Sequence, residues 1–183
     1  NPYQIATWQN LYWISQNTST WNKHFIQTAD IDFAVASPAI NTWDGGGGWS
    51  PIGNYYTKFV GKYNGDSYII NGLFIYHPSG DFSSYYQGLF GYIRGTETEI
   101  KNIGLTSVNI TGFNHIGSIV GFSESIITNC FSSGNIIGNE HVGGLVGSNY
   151  LGASISFSYS IGNVTANGNY TGGFTGYNYS KIS

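Results

Sequence analysis

Four segments of the chain close on nearly the same phrase: Gly88-Leu89-Phe90-Gly91, Ser118-Ile119-Val120-Gly121, Gly144-Leu145-Val146-Gly147 and Gly173-Phe174-Thr175-Gly176. Their closing glycines lie 30, 26 and 29 residues apart. A second phrase keeps step with the first, as Val108-Asn109-Ile110-Thr111-Gly112, Gly134-Asn135-Ile136-Ile137-Gly138 and Gly162-Asn163-Val164-Thr165-Ala166. Self-similarity at this period is the mark of a stacked-repeat architecture. Antiparallel hairpins have no use for the same words every 26 to 30 residues, whereas a coil that climbs one rung per turn does. Each rung has room for about three short strands, stacked about 4.8 Å above the rung below.

That geometry turns sequence period into vertical contact. Leu89, Ile119, Leu145 and Phe174 should form one internal column, and Asn and Ser at the turns can form ladders of like side chains. Glycine at a phrase boundary serves either a positive φ or a close backbone approach. Parallel crossovers are overwhelmingly right-handed. The expected fold is therefore all-β, a right-handed parallel β-helix. One short amphipathic helix is expected to cap it at the N-terminal end, with apolar residues at 8, 11, 12 and 14 behind Thr7. Residues 25–33 read as the first strand, and residues 34–48 as a loop ending in four glycines. The chain divides accordingly into a cap, 1–48, and a β-helix, 49–183.

Composition narrows the partners. Only 8% of the 183 residues are charged, against roughly 25% in an ordinary globular protein, so solubility rests on hydroxyls and amides. An aromatic content of 17% excludes a disordered chain. The net charge is −3 and the six basic residues are scattered, leaving no stripe to meet nucleic-acid phosphates. No apolar run approaches the roughly 18 residues of a membrane span. Cys130 is the single cysteine, which excludes an intrachain disulfide. The absence of Met and the Asn1-Pro2 start suggest a processed or excised product. Residues 177–183 read as the opening of another rung, so the β-helix is expected to continue or to stack on another subunit.

The recurring Gly-Leu-Phe/Val-Gly phrase resembles the GLUG motif of bacterial and archaeal surface proteins. The likeness extends to Asp30-Ile31-Asp32, Trp49-Ser50-Pro51-Ile52-Gly53, Phe59-Val60-Gly61-Lys62-Tyr63-Asn64-Gly65, Ile70-Asn71-Gly72-Leu73 and Thr128-Asn129-Cys130-Phe131-Ser132-Ser133-Gly134-Asn135, and covers residues 25–183. Two departures occur. Ser118-Ile119 stands where Gly-Leu is usual, and the turn Asn64-Gly65-Asp66-Ser67 lacks the usual first Asp and last Gly. The resemblance implies a β-helical stalk or adhesin-like segment of a larger secreted protein. Similar arrays occur attached to proteases, IgA-cleaving ones among them, without being their catalytic part.

No pattern in the chain points to chemistry. Glu140-His141 has no second His at metallopeptidase spacing, and His24, His77 and His115 read as surface or turn residues. There is no Gly-x-Ser-x-Gly elbow; after Gly121-Phe122-Ser123 the second glycine position holds Ser125. β-Helical carbohydrate enzymes need two carboxylates on one face, or a base beside a bound cation. The nearest candidates are Asp30, Asp32 and Asp44, which could hold calcium, and Glu97 with Glu99 beside Arg94 and Lys101, which read as a solvated edge. No catalytic residue, metal ligand or cofactor is assigned.

Aromatic residues suggest binding instead. Trp8, Trp13, Trp21, Trp43 and Trp49 all fall early in the chain, and Tyr55, Tyr56, Tyr85 and Tyr86 follow in pairs. Trp43, Trp49, Tyr55, Tyr56, Tyr85 and Tyr86 could build a shelf that stacks sugar rings; the competing role is a plug over the open end of the solenoid. Five N-glycosylation sequons begin at Asn17, Asn109, Asn163, Asn169 and Asn178. The sequence thus reads as a non-enzymatic, extracellular or cell-surface structural and adhesive module. Its expected partners are surface or matrix glycans or proteins, and further copies of itself end to end. A carbohydrate-active enzyme or a calcium-dependent sugar-binding module is the alternative. Light scattering at rising protein concentration should reveal end-to-end association, and a strictly monomeric species would count against it.

Overall fold

A computed structural model describes residues 1–183. The chain enters as β1 (Tyr3–Ile5), passes through α1 (Trp8–Gln16) and returns as β2 (His24–Gln27), parallel to β1 with Tyr3 opposite Phe25. β3 (Ile31–Asp32) starts a second sheet. An excursion with single 3-10 turns at Phe33–Val35, Ile40–Thr42 and Asp44–Gly46 leads to β4 (Lys62–Asn64), β5 (Ile69–Asn71) and β6 (Phe74–Tyr76). The coils then become regular. One comprises β7 (Phe90–Lys101), β8 (Gly104–Thr111) and β9 (Asn114–Ile116); the next, β10 (Val120–Thr128), β11 (Phe131–Gly138) and β12 (Glu140–Gly143). β13 (Val146–Asn149), β14 (Ser154–Ser156), β15 (Tyr159–Ala166) and β16 (Thr171–Gly172) make the following coil, and β17 (Thr175–Asn178) and β18 (Lys181–Ile182) begin another.

Like strands of successive coils pair in parallel into three sheets. The first runs β1-β2-β4-β7-β10-β13-β17, the second β15-β11-β8-β5-β3 and the third β16-β12-β9. This is a parallel β-helix. Phe25, Tyr63, Ile100, Ile127, Ile155 and Ile182 stand in register up the first sheet. The column expected from the glycine phrases also forms: Phe90, Val120, Val146 and Thr175 are in register. The residues before them are tied rung to rung, since Ile119 N–H donates to Leu145 O at 3.0 Å and Leu145 N–H to Phe174 O at 2.9 Å. Leu89, Ile119 and Leu145 are fully buried, and Phe174 packs half-buried on top.

The expected amide ladders form at the corners. Asn129 donates to Asn102 and Asn102 to Asn64, each at 2.8 Å. On the second sheet Asn163 donates to Asn135 at 3.0 Å. α1 starts behind Thr7, whose Oγ1 accepts from Asn10 N–H at 3.3 Å, and buries Leu11 and Ile14.

One expectation changes. Residues 25–33 form two strands around a corner instead of one, because acidic side chains satisfy the backbone there. Asp30 Oδ1 accepts from Ile69 N–H at 2.8 Å and Asp32 Oδ1 from Ala34 N–H at 2.9 Å. One continuous apolar cluster runs from Ile5 to Ile155, through cap and β-helix alike, and residues 3–5 pair in parallel with residues 25–27. Ile100, fully buried between Tyr63 and Ile127, is a sharp probe of the column. Ile100→Ala is expected to lose about 2–5 kcal/mol in urea unfolding, whereas Ile182→Ala, at the exposed upper end, should change stability by less than about 0.5 kcal/mol.

Candidate functional site

The corner between the third sheet and the first is built from a residue the glycine phrase does not include. Tyr86, His115, His141 and Tyr170 each stand a few residues ahead of a closing glycine, and all four are left-handed, with φ of 59°, 58°, 56° and 62°. Parallel pairing puts Ile116 opposite Val142 and Val142 opposite Thr171, which brings the preceding side chains one above another. Their rings stack in a continuous ladder. Tyr86 and His115 lie 5.0 Å apart at 5°, His115 and His141 4.5 Å at 28°, and His141 and Tyr170 4.7 Å at 24°.

A left-handed backbone at a bulky residue costs of the order of 1–3 kcal/mol, so the corner must be held from outside. The closing glycines hold it. A Cβ on Gly121 would sit 2.7 Å from His115 O and from Tyr86 C; one on Gly147, 2.5 Å from Ile116 N; one on Gly176, 2.5 Å from Val142 N. None of these glycines has a left-handed φ. Of the two reasons for glycine weighed from the sequence, close approach is the one that applies here.

Enclosure in the ladder governs its protonation. Burial, and then the neighbouring His141, hold His115 down to about 3. Burial also lowers His141, with Glu140 pulling the other way. His115 Nδ1 lies 2.8 Å from Ser148 Oγ, a bond that a neutral ring can make. A second aromatic row flanks the first, with Tyr92 and Phe122 4.7 Å apart and Phe122 and Tyr150 5.5 Å apart.

At its lower end the ladder opens into a cleft of about 400 Å³. Tyr55, Tyr56, Phe82, Tyr85 and Tyr86 form the aromatic part of its lining, and Asp44, His77, Asn54 and Gln87 are among the polar residues. Four of the aromatics predicted for a ligand shelf therefore do come together. The two tryptophans do not join them. Trp49 is completely buried and donates its indole N–H to Leu89 O at 3.1 Å. Trp43 is 8% exposed, donates to Pro38 O at 2.8 Å and packs on Trp8, Tyr12 and Phe33. Both belong to the lower core, because a solenoid end offers an indole more apolar area than its surface does.

The carboxylates stay dispersed. Asp30 and Asp32 serve as backbone caps, and Asp44 lies elsewhere, 3.5 Å from His77 Nε2. Glu99 pairs with Lys101 at 2.8 Å, Glu97 approaches Lys62 at 3.9 Å, and Arg94 turns to Glu124 at 3.0 Å. Asp81 closes the loop below the cleft, its carboxyl held down to about 2 by the Ser83 and then the Ser79 hydroxyl. Asn109, Asn163, Asn169 and Asn178 are exposed and Asn17 is half-buried. Phe82 goes unmarked in the sequence, and His115 and His141 read there only as histidines outside any metal-binding motif. A signal for the histidines existed, since each precedes its closing glycine by six residues, as Tyr170 does.

The fold and this corner define a parallel β-helix with an aromatic ladder along one edge. No family model matches the chain. It is 30% identical over 141 residues to halomucin from Haloquadratum walsbyi, a match covering 76% of this chain and 2% of that protein. It is 35% identical over 133 residues to a candidate Gly-rich membrane protein from Evansella cellulosilytica, covering 70% of this chain and 14% of the other. The crystal structure of a candidate immunoglobulin A1 protease from Bacteroides ovatus matches with a TM-score of 0.67 at 19% identity, over 100% of this chain and 64% of that one. That likeness is one of fold, and the chain spans only a small part of either sequence relative.

The ladder histidines carry a pH signature. Their folded pKa values lie below the unfolded value of about 6.5, so the unfolded chain binds more protons and stability falls as pH drops from about 6.5 towards 3. Tyrosine already occupies the same left-handed position at 86 and 170. A His115→Tyr/His141→Tyr variant should therefore fold, and its melting temperature should fall less than that of the parent between pH 7 and pH 5. Equal slopes would mean the two imidazoles are not held neutral.

Proposed function

We propose that the chain is a non-enzymatic structural and adhesive segment of an extracellular or cell-surface protein. The observation that carries this is register: the inward column runs unbroken from Phe25 to Ile182, giving a stiff body whose outer face repeats once per rung. Its outward groups are mainly amides, hydroxyls and rings, and its carboxylates act as caps or pair with cations. The resemblance to GLUG arrays supports placement outside the cell. So does the likeness to a Gly-rich membrane protein and to halomucin, each matched over a small fraction of its length, as a module within a long chain would be.

Glycans or proteins of surfaces and matrices are the partners this reading assigns. A second copy of the chain is the other partner assigned, by end-to-end contact at the upper strands, where Ile161 and Ile182 are exposed and Phe174 is half-covered. Where the source glycosylates its proteins, the four exposed sequons are the sites. Beads coated with the chain should adhere under flow to polysaccharide- or mucin-coated surfaces more than beads coated with an unrelated β-protein. Absence of adhesion together with release of reducing sugar from the same polysaccharides would replace this reading with the enzymatic one.

A further inference from the structure

The cleft exists because two adjacent coils depart from the repeat at the same place. One coil up, residues 112–119 join the second sheet to the first; below them, the same path is taken by the longer segment 77–89. On the coil beneath, the bridges Ile52 to Phe90 and Phe59 to Ile93 bracket a turn at residues 53–58 that has no counterpart in the continuous β7. The two excursions meet ring to ring, Tyr55 and Phe82 at 5.3 Å and Tyr56 and Phe82 at 5.8 Å.

Both loops are set by their own side chains. Asn54 Oδ1 accepts from the N–H groups of Tyr56 and Thr57, each at 2.9 Å. Asp81 accepts from Ser83 N–H at 2.9 Å and from Ser79 Oγ at 2.7 Å. The rings are thus held apart from the core in a fixed arrangement, and little ordering remains for a ligand to impose. Tyr56 is 80% exposed and Phe82 45%, their ring contacts being with each other and with Tyr55, Tyr85 and Tyr86 at the cleft.

From these features we infer that the cleft binds neutral pyranose units of a glycan, with the rings of Tyr56, Phe82 and Tyr85 against sugar C–H faces and polar groups around the hydroxyl edge. This deepens the adhesive reading and rests on it for the ligand's source. Three observations select the class. The volume lies in the lower part of the range of about 300–1,000 Å³ usual for small-molecule sites. No Lys or Arg lines the cleft, Lys58 Nζ lying outside the lining and 4.9 Å over the Tyr55 ring, and Asp44 is the single carboxylate in the lining, so the lining carries no permanent cation to bind an acidic sugar. Ser50, Asn54, Ser83 and Gln87 put hydroxyl and amide groups in its lining, the partners that sugar hydroxyls use.

Sugar hydroxyls both donate and accept, as that lining requires. A polyproline segment, the other usual guest of an aromatic groove, has no N–H at its prolines to donate to the hydroxyl and amide oxygens of the lining.

Saturation-transfer NMR with cellotriose, maltotriose, mannotriose and N,N′,N″-triacetylchitotriose, beside trigalacturonate and decaproline, tests this on the intact chain. At least one neutral trisaccharide should bind, and Tyr56→Ala and Phe82→Ala should each weaken it by about threefold to tenfold, as loss of one ring stack would. Phe157→Ala, at an 82% exposed ring outside the cleft lining, should leave binding unchanged, and circular dichroism should show every variant folded. Absence of binding by all four neutral sugars would overturn the inference. So would binding indifferent to Tyr56 and Phe82, or tighter binding of trigalacturonate or decaproline. If beads still adhere while the Tyr56 and Phe82 variants adhere equally well, the cleft assignment fails and the adhesive reading stands.

Discussion

The structure depends on a contact between a glycine and the backbone of a corner residue on a neighbouring rung. Where the third sheet turns into the first, the chain takes a left-handed step at Tyr86, His115, His141 and Tyr170. Such a step brings main-chain atoms too close for any Cβ opposite, so Gly121, Gly147 and Gly176 stand there bare. The contact fixes the rung's turn and, through parallel pairing, the height at which the next rung sits. The internal columns follow from that alignment, and so does the outer ladder of rings.

Regularity and irregularity have different uses in this molecule. The regular coils, β7 onward, pack Ile, Leu and Val inside and tie amides outside, which produces rigidity but presents the same surface at every level. Recognition of something in particular needs a place where levels differ. The excursions at residues 53–58 and 77–89 supply it, gathering Tyr55, Tyr56 and Phe82 at the lower end of the ladder, against Tyr86. Loops mounted on a stiff frame carry function for this reason in many folds.

The ladder also sets a limit on ligand contact. A ring stacked on both faces has no face left for a guest, and this is the state of His115 and His141. Free faces remain where the stack is interrupted, which is why the cleft and not the length of the ladder is the binding candidate. Burial in the stack keeps the imidazoles uncharged, so the edge of the solenoid is neutral as well as flat.

The period of the glycine phrases was sufficient to determine the parallel β-helix, because equal spacing forces equal height, and Leu89, Ile119, Leu145 and Phe174 do share one column. Tyr55, Tyr56, Tyr85 and Tyr86 were legible as candidates because they occur as two adjacent pairs, and the fold brings the pairs to one cleft. Trp43 and Trp49 were not separable from them, since residue type alone cannot distinguish a ring that plugs a solenoid from one that lines its surface; burial decides, and burial is tertiary. The corner at Asp30, where a carboxylate accepts from Ile69 across a rung, was hidden for the same reason. Periodicity alone specifies which residues repeat and therefore which stack. Only the folded chain decided which face of each rung they stack on, because a side chain's direction at a left-handed corner depends on the backbone of the rung beside it.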